Sequence, residues 1–289
     1  MPSIVYLNGE FLPITQAQVP VMDRGFLFGD AVYEVIPFFN GVGFRLEQHL
    51  QRLQYSLDAV GITLDLDWKT LFSQLLNVNP GTHQAVYLQV SRGVMPKRSL
   101  RYDEDIVPTV FAYSYPIQLA LGGDLAQVAG VTAVTVNDQR WGRCDIKATG
   151  LLANVLAIRE AHQRGVQEAL LVRQGYLTEG ASCNLFVVEQ GRVYTPLMDS
   201  HTLAGTTRSL LLELIRDAGI ECIEQPIAVE RLQQADEIWI SSSTRGVLPV
   251  VQVNGEAVAT GTPGPLWLNV ATLFQQFEQQ MLTEHETSR

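Results

Sequence analysis

Lysine is scarce in this 289-residue chain: 17 of its 20 basic residues are arginine, and the lysines are Lys69, Lys97 and Lys147. Any chemistry that needs an amine side chain has only these positions to use. Cysteine is equally rare. Cys144, Cys183 and Cys222 form no CxxC pair and cannot all be joined to one another, which excludes a disulfide framework and fits a reducing compartment. Positive charge is in deficit, with 20 basic residues against 30 acidic and a net charge of −10. That balance argues against a surface built around nucleic-acid phosphates. Apolar stretches such as 169–172 and 210–212 fall far short of the roughly 20 residues that span a bilayer. The opening residues MPSIVYLNGEFLP lack the basic start and apolar run of an export signal. The expectation is a soluble, cytoplasmic protein with neither nucleic-acid nor membrane partners.

Several common signatures are also missing. The histidines (49, 83, 162, 201 and 285) show no HxxxH, HExxH or Cys/His ligand spacing, so no metal site is expected. Gly41-Val42-Gly43 lacks the third glycine and following helix of a dinucleotide loop, and GxxxxGK[ST] does not occur. There is no GxSxG elbow, and Cys183 has no neighbouring histidine, so it reads as a small packed residue.

What is present is a mixture of strands and helices. With 46% hydrophobic residues, the chain can form one large domain or two of ordinary size. Residues 3–7 and 10–12 flank Asn8-Gly9, a hairpin signal; 32–39 ends at Asn40-Gly41 and predicts a second hairpin returning through 42–46. Leu50, Leu53, Leu57 and Val60 form a helical stripe over 48–60, closed by Gly61, and a second helix is expected over 67–76. Strands over 85–91 and 109–114 surround an irregular basic loop, 92–102. Further strands are predicted over 131–136, 169–172, 184–188, 193–195 and 237–241, with a late hairpin at Asn254-Gly255. Helices are predicted over 151–163, 209–218 and 266–282, followed by a polar tail expected to fray. The pattern is α+β, a mixed α/β arrangement of two domains. They are expected over 1–118 and 125–289, joined by a linker at 119–124, with Lys147 in the C-terminal one.

Four segments carry candidate chemistry. Lys147 stands before an apolar helix in Asp145-Ile146-Lys147-Ala148. Burial favours the neutral form of an amine, and the neutral form is the nucleophile in Schiff-base chemistry. A lysine whose stem merely covers apolar surface is the other reading. Gly205-Thr206-Thr207-Arg208 precedes the 209–218 helix, placing hydroxyls and unpaired N–H groups at its positive end. It reads as an anion cup or as an ordinary N-cap. Ser241-Ser242-Ser243-Thr244 is a second hydroxyl cluster or a plain loop. Glu179, between two strand-like stretches, is a functional acid or a solvated turn residue. An amine, a phosphate cup and a lone carboxylate are together what pyridoxal 5'-phosphate requires.

With these residues in place, the chain resembles the class IV (fold type IV) pyridoxal-phosphate aminotransferases, a group that includes D-amino acid and branched-chain aminotransferases and aminodeoxychorismate lyase. The resemblance runs through Tyr6-Leu7-Asn8-Gly9, Asp23-Arg24-Gly25-Phe26, Phe28-Gly29-Asp30-Ala31-Val32-Tyr33-Glu34 and His49-Leu50-Gln51-Arg52-Leu53. It continues through Asp145-Ile146-Lys147, Leu151-Leu152-Ala153-Asn154, Thr178 to Phe186 and Leu203-Ala204-Gly205-Thr206-Thr207-Arg208. It implies that Lys147 holds the cofactor covalently and moves the Cα and C4′ protons, while Glu179 pairs with the ring nitrogen. It implies that Arg52, Gly205, Thr206, Thr207 and Ser243 bind the phosphate, that Leu203 packs on the ring, and that Tyr33 lies near the substrate. It also implies two α/β domains with the cofactor between them, amino acid and 2-oxo acid substrates, and a homodimer.

Within the family, Glu179–Asn184 reads EGASCN, closer to the D-amino acid aminotransferases than to the branched-chain enzymes. D-amino acid enzymes commonly carry an Arg-x-His pair for the substrate carboxylate after the strand leading to Arg92-Gly93. Here the stretch reads VMPKRSLR, basic but without the histidine. Arg98 is read either as the carboxylate-binding residue or as part of a solvated loop. The resemblance implies a D-alanine-type transaminase, with branched-chain L-amino acid, (R)-amine and lyase chemistries as alternatives on the same fold.

Overall fold

Asn8 and Gly9 take positive φ of 50° and 99°, the geometry of a tight hairpin turn. They fold β1 (Ile4–Leu7) back onto β2 (Glu10–Pro13) in a computed structural model that describes residues 3–287. The short helix α1 (Arg24–Phe28) is capped by Asp23, whose carboxylate accepts from Gly25 N–H at 2.7 Å. The strand β3 (Ala31–Phe39) follows and turns at Asn40-Gly41. Its return strand is only β4 (Val42–Gly43), shorter than the expected 42–46. Arg45 enters the left-handed region at φ 51°, and Leu46 already begins α2 (Leu46–Val60). α3 (Trp68–Val78), β5 (His83–Ser91) and β6 (Thr109–Pro116) complete an antiparallel sheet of order β2-β1-β6-β5-β3-β4.

The α2 stripe does what its spacing predicts. Leu53 and Leu57 are buried with Val32, Ile36, Leu71, Leu75, Val86 and Leu88, and Leu50 and Val60 pack at the rim. Each such leucine contributes about 1.5–3 kcal/mol by leaving water.

The chain forms two compact units. The first runs up to Gln118 and includes Ile146–Gly150; the second comprises Leu119–Asp145 and the residues from Leu151 onward. Lys147 thus lies in the first unit, which corrects the expectation of a C-terminal domain carrying it. The cause is the edge of β3 that β4 leaves uncovered. Tyr33 N–H donates to Lys147 O at 2.9 Å, Thr149 N–H to Ala31 O at 3.0 Å, and Lys147 N–H to Ser56 Oγ at 3.2 Å. Backbone groups that would otherwise be unsatisfied find partners there.

The second unit is built from β7 (Val131–Asn137), α4 (Leu152–Gln163), β8 (Glu168–Arg173), β9 (Tyr176–Gly180), β10 (Asn184–Glu189) and β11 (Arg192–Thr195). α5 (Thr206–Asp217), β12 (Cys222–Glu224), β13 (Ile227–Ala228), β14 (Glu237–Ser242), β15 (Gly246–Val253), β16 (Glu256–Ala257) and α6 (Pro265–Thr287) follow. Its sheet has the order β12-β11-β10-β14-β15-β7-β8-β9-β13, with β16 paired to β15. β7 and β8 are parallel, as are β11 and β12, and α4 and α5 make the respective crossovers. α4 turns Ala157 and Ala161 onto Val134, Val136, Ala169 and Leu171.

Further differences from the sequence reading concern β9, α5 and α6. β9 was not anticipated: Gln174-Gly175, with φ of 52° and 83°, is a hairpin turn, and it places Glu179 in a strand rather than in a turn. α5 begins at Thr206, three residues early. α6 runs to Thr287 through the tail expected to fray, of which Ser288 and Arg289 lie outside the described residues. Among the described residues no helix is long and apolar enough to cross a membrane.

Candidate active site

In the first unit the functional side chains stand on β3, α2 and the 146–150 segment. Lys147 Nζ lies 4.3 Å from the centroid of the Tyr33 ring, which in turn stacks on Tyr87 at 5.7 Å. The ring face carries partial negative charge and holds the amine near it. One residue along β3, Glu34 is fully buried with His49 and Arg52 of α2. Arg52 Nε and Nη2 donate to the two Glu34 oxygens at 2.7 and 2.8 Å, and His49 Nδ1 is 2.8 Å from Glu34 Oε2. Burial alone would raise the Glu34 carboxyl. The Arg52 guanidinium, with His49, outweighs it and holds the group well below the usual carboxylate range. Burial pushes the His49 imidazole down despite the neighbouring carboxylate. Arg52, expected to bind a phosphate, is thus already oriented by a buried acid.

The basic loop is anchored at its base. Arg24 and Arg92 both donate to Asp30 at 2.8 Å, Arg24 also donates to Ser99 O at 2.6 Å, and Arg92 lies 3.9 Å from the Tyr102 ring centroid. Burial would raise Asp30; the two arginines reverse this and leave it lowered. Beyond the anchor, Arg98 is exposed, its guanidinium 4.9 Å from the Phe28 ring centroid.

In the second unit Glu179 is buried at the end of β9 and accepts from three donors. One oxygen takes a charge-assisted hydrogen bond from Arg140 Nη1, and the other accepts from Asn184 Nδ2 and from Leu203 N–H, both at 3.1 Å. Asn184 Nδ2 also donates to Leu203 O at 2.9 Å, which fixes the half-buried Leu203 beside the carboxylate. Gly205 closes this corner. A Cβ there would stand 1.8 Å from Asn184 Oδ1, so any larger residue would displace the amide that bonds Glu179 and Leu203.

Gly205 is also the N-cap of α5 and offers no side-chain cap, leaving the first N–H groups of a 12-residue helix to other partners. Thr206 Oγ1 is 3.2 Å from Ser243 Oγ, which brings the two predicted hydroxyl clusters together. Thr207 is buried and its Oγ1 has no hydrogen-bond partner, nor has Ser241 Oγ nearby on β14. Arg208, the fourth residue of the cluster, serves the fold instead, donating to Glu224 and to Pro196 O at 2.9 Å.

Two residues of this half went unnoticed in the sequence. Arg140 and Asp138 follow β7, and Asp138 Oδ2 receives Arg140 Nη2 at 2.9 Å. Nothing local marks them, because the partner acid Glu179 lies on a strand formed much later in the chain.

Residues 31–253 match the family model for amino-transferase class IV. The chain is 38% identical to the D-alanine aminotransferase of Bacillus licheniformis over 94% of its length and 95% of the relative's. It is 34% identical to that of Staphylococcus haemolyticus over 94% and 97%. Among solved structures, the branched-chain amino acid aminotransferase of Escherichia coli superposes with a TM-score of 0.85 at 26% identity, covering 93% of this chain and 92% of that one. The branched-chain aminotransferase of Thermoproteus uzoniensis, solved with norvaline, gives 0.83 at 26% identity over 96% and 94%. A family model that matches most of the chain, and relatives more than a third identical over nearly its whole length, place the chain in the class IV aminotransferase family, as an aminotransferase.

Proposed function

We propose that this aminotransferase uses pyridoxal 5'-phosphate to move the amino group of D-amino acids of the D-alanine type to a 2-oxo acid such as 2-oxoglutarate or pyruvate. The observation that carries the cofactor assignment is the buried Thr207 hydroxyl, unpartnered at the uncapped start of α5. A buried polar group without a partner is costly, and a bound phosphate oxygen supplies one. When bound, the cofactor supplies an aldehyde that an amine can capture and a protonated ring that draws electrons from the substrate Cα.

The chain's residues divide the remaining work. Lys147 Nζ would be the amine that holds the cofactor, and it would move the proton between the substrate Cα and the cofactor C4′. Gly205, Thr206, Thr207 and Ser243 receive the phosphate, with Arg52 supplying positive charge under the control of Glu34. Glu179 would pair with the ring nitrogen, and Leu203 would pack on the ring. Tyr33 holds Lys147 in place beside the substrate, whose carboxylate Arg98 binds. The molecule works as a homodimer in the cytoplasm. The exposed apolar row Leu152, Val155 and Leu156 of α4, at 72%, 59% and 45% exposure, suits a second copy.

The D-alanine reading draws on the Bacillus and Staphylococcus relatives and on EGASCN at Glu179–Asn184. A branched-chain L-amino acid preference is the second reading, favoured by the likeness to the Escherichia coli structure. Protein loaded with pyridoxal phosphate is mixed with single amino donors and its visible absorbance followed without an acceptor. Rapid loss of the band with D-alanine supports the first reading. Loss with L-leucine or L-valine alone supports the second and rejects the first.

A further inference from the structure

Buried carboxylates that face a ring nitrogen compete with it for one proton. Glu179 is buried, and burial raises its carboxyl above its ordinary value, an effect that Arg140 and Leu203 reduce without reversing. An acid that kept the proton would leave the ring neutral and a weak electron acceptor. The surroundings of Glu179 work against this outcome. All three of its neighbours donate to it: Arg140 Nη1 to one oxygen, Asn184 Nδ2 and Leu203 N–H to the other. Of these only Arg140 carries charge.

Arg140 is itself held rigidly. Its Nε and Nη2 donate to the two Asp138 oxygens at 2.9 Å each, Nη2 donates to His201 O at 3.0 Å, and its side chain is only 7% exposed. Asp138 is braced from its other side by Thr178 Oγ1 at 3.0 Å and Arg173 at 3.2 Å. Burial would raise Asp138, but Arg140 and Arg173 hold it at about 2, so it stays an anion throughout the working range. Cys144, also close by, is pushed up by burial to about 11 and stays a neutral thiol. The charged groups bonded to Glu179 or to its partner are Arg140, then Asp138 on Arg140, with Arg173 on Asp138.

We propose that Arg140, braced by Asp138, is a positioning residue of the reaction: it fixes the rotation and the negative charge of Glu179 and so leaves the shared proton on the cofactor's ring nitrogen. The inference rests on the pyridoxal phosphate reading above. The position of Arg140 sets its effect, since it bonds Glu179 directly and stabilises the anion there more than it repels a protonated ring further off. It reacts with nothing and acts only through Glu179.

The test compares the wild-type chain with Arg140→Met, Arg140→Gln and Arg140→Lys, each first checked for cooperative thermal unfolding. In cofactor-free protein at neutral pH, infrared spectra of Arg140→Met gain a protonated-carboxyl band that disappears on adding Glu179→Gln. In protein loaded with pyridoxal phosphate labelled with nitrogen-15 in the ring, the wild-type signal is that of a protonated nitrogen, and Arg140→Met moves it toward the unprotonated position. Its kcat falls at least about tenfold while KM for the amino donor changes less than about threefold, and Arg140→Lys recovers most of the loss. Arg140→Gln, which keeps polar contacts without charge, gives the same reading if the Met variant does not fold. A folded, loaded Met or Gln variant with wild-type infrared and nitrogen signals overturns the proposal. A wild-type chain that binds no pyridoxal phosphate overturns the cofactor reading itself, a failure visible before any variant is compared.

Discussion

Glu34 and Arg52 are joined by two parallel hydrogen bonds of 2.7 and 2.8 Å, with both side chains buried between β3 and α2. Taking one charge away leaves the other without a partner inside the first unit. Removing a partner from a buried pair costs about 3–5 kcal/mol, and Glu34→Gln is expected to lose an amount of this order in urea unfolding. Because the folded carboxyl lies below its unfolded value, the pair's stabilisation is present above the ordinary glutamate range and is lost as pH falls beneath it. The acid limb of the stability curve is therefore flatter in the variant than in wild type. An equally steep acid limb in both would show that Glu34 is not the group responsible.

Lys147 is half-buried at an edge, so its removal should cost the fold little while abolishing covalent capture of the cofactor. Lys147→Ala is expected to unfold within about 0.5 kcal/mol of wild type. Borohydride treatment followed by mass spectrometry should show a cofactor adduct on the Lys147 peptide of wild type and none in the variant. An adduct on Lys69 or Lys97 instead would move the assignment.

Thr207 makes opposite predictions for stability and binding. Its hydroxyl is buried without a partner, and an unpaired buried polar group costs the fold stability. Thr207→Val should leave thermal stability of the cofactor-free protein unchanged or slightly higher. The same change should weaken pyridoxal phosphate binding by roughly tenfold, the worth of one hydrogen bond to a charged group. Calorimetric titration measures it, and equal affinity in the two proteins would remove Thr207 from the phosphate site.

In the second unit, Glu278 of α6 is 3% exposed and receives backbone N–H groups of Ala120 and Leu121, while Gln275 donates to Leu121 O at 2.6 Å. Burial pushes its carboxyl up to about 7. A folded-state value above the unfolded one means the native chain binds the extra proton between about pH 4.5 and 7, so stability falls as pH rises through that window. Glu278→Gln keeps an acceptor for the two N–H groups and removes the titration. Its stability should exceed that of wild type at pH 8 by about 3 kcal/mol and match it near pH 5. A wild-type excess at pH 8 would contradict this.

Much of the fold was legible locally. Asn8-Gly9, Asn40-Gly41 and Asn254-Gly255 mark turns because asparagine and glycine tolerate the positive φ that tight hairpins require. The α2 stripe was legible because burial repeats with the helical period. β9 was missed because its turn, Gln174-Gly175, puts a glutamine in the left-handed region, where side-chain type gives a weak signal. The early start of α5 was missed because Thr206 and Thr207 read as cap residues, whereas Gly205 does the capping without a side chain.

By itself the sequence determined the element types, the scarcity that singled out Lys147, and the motif order that pointed to the family. These depend on residue type and short-range spacing, which the chain carries from end to end. Only the tertiary structure decided which charges meet. It set Lys147 on the edge of β3 and against Tyr33, locked Arg52 to Glu34, and brought Arg140 from the end of β7 onto Glu179 at the end of β9. The physical reason is that an ion pair needs a few ångströms of separation and exclusion from water. Both come from the packing of strands distant in sequence, and no local pattern of residues records them.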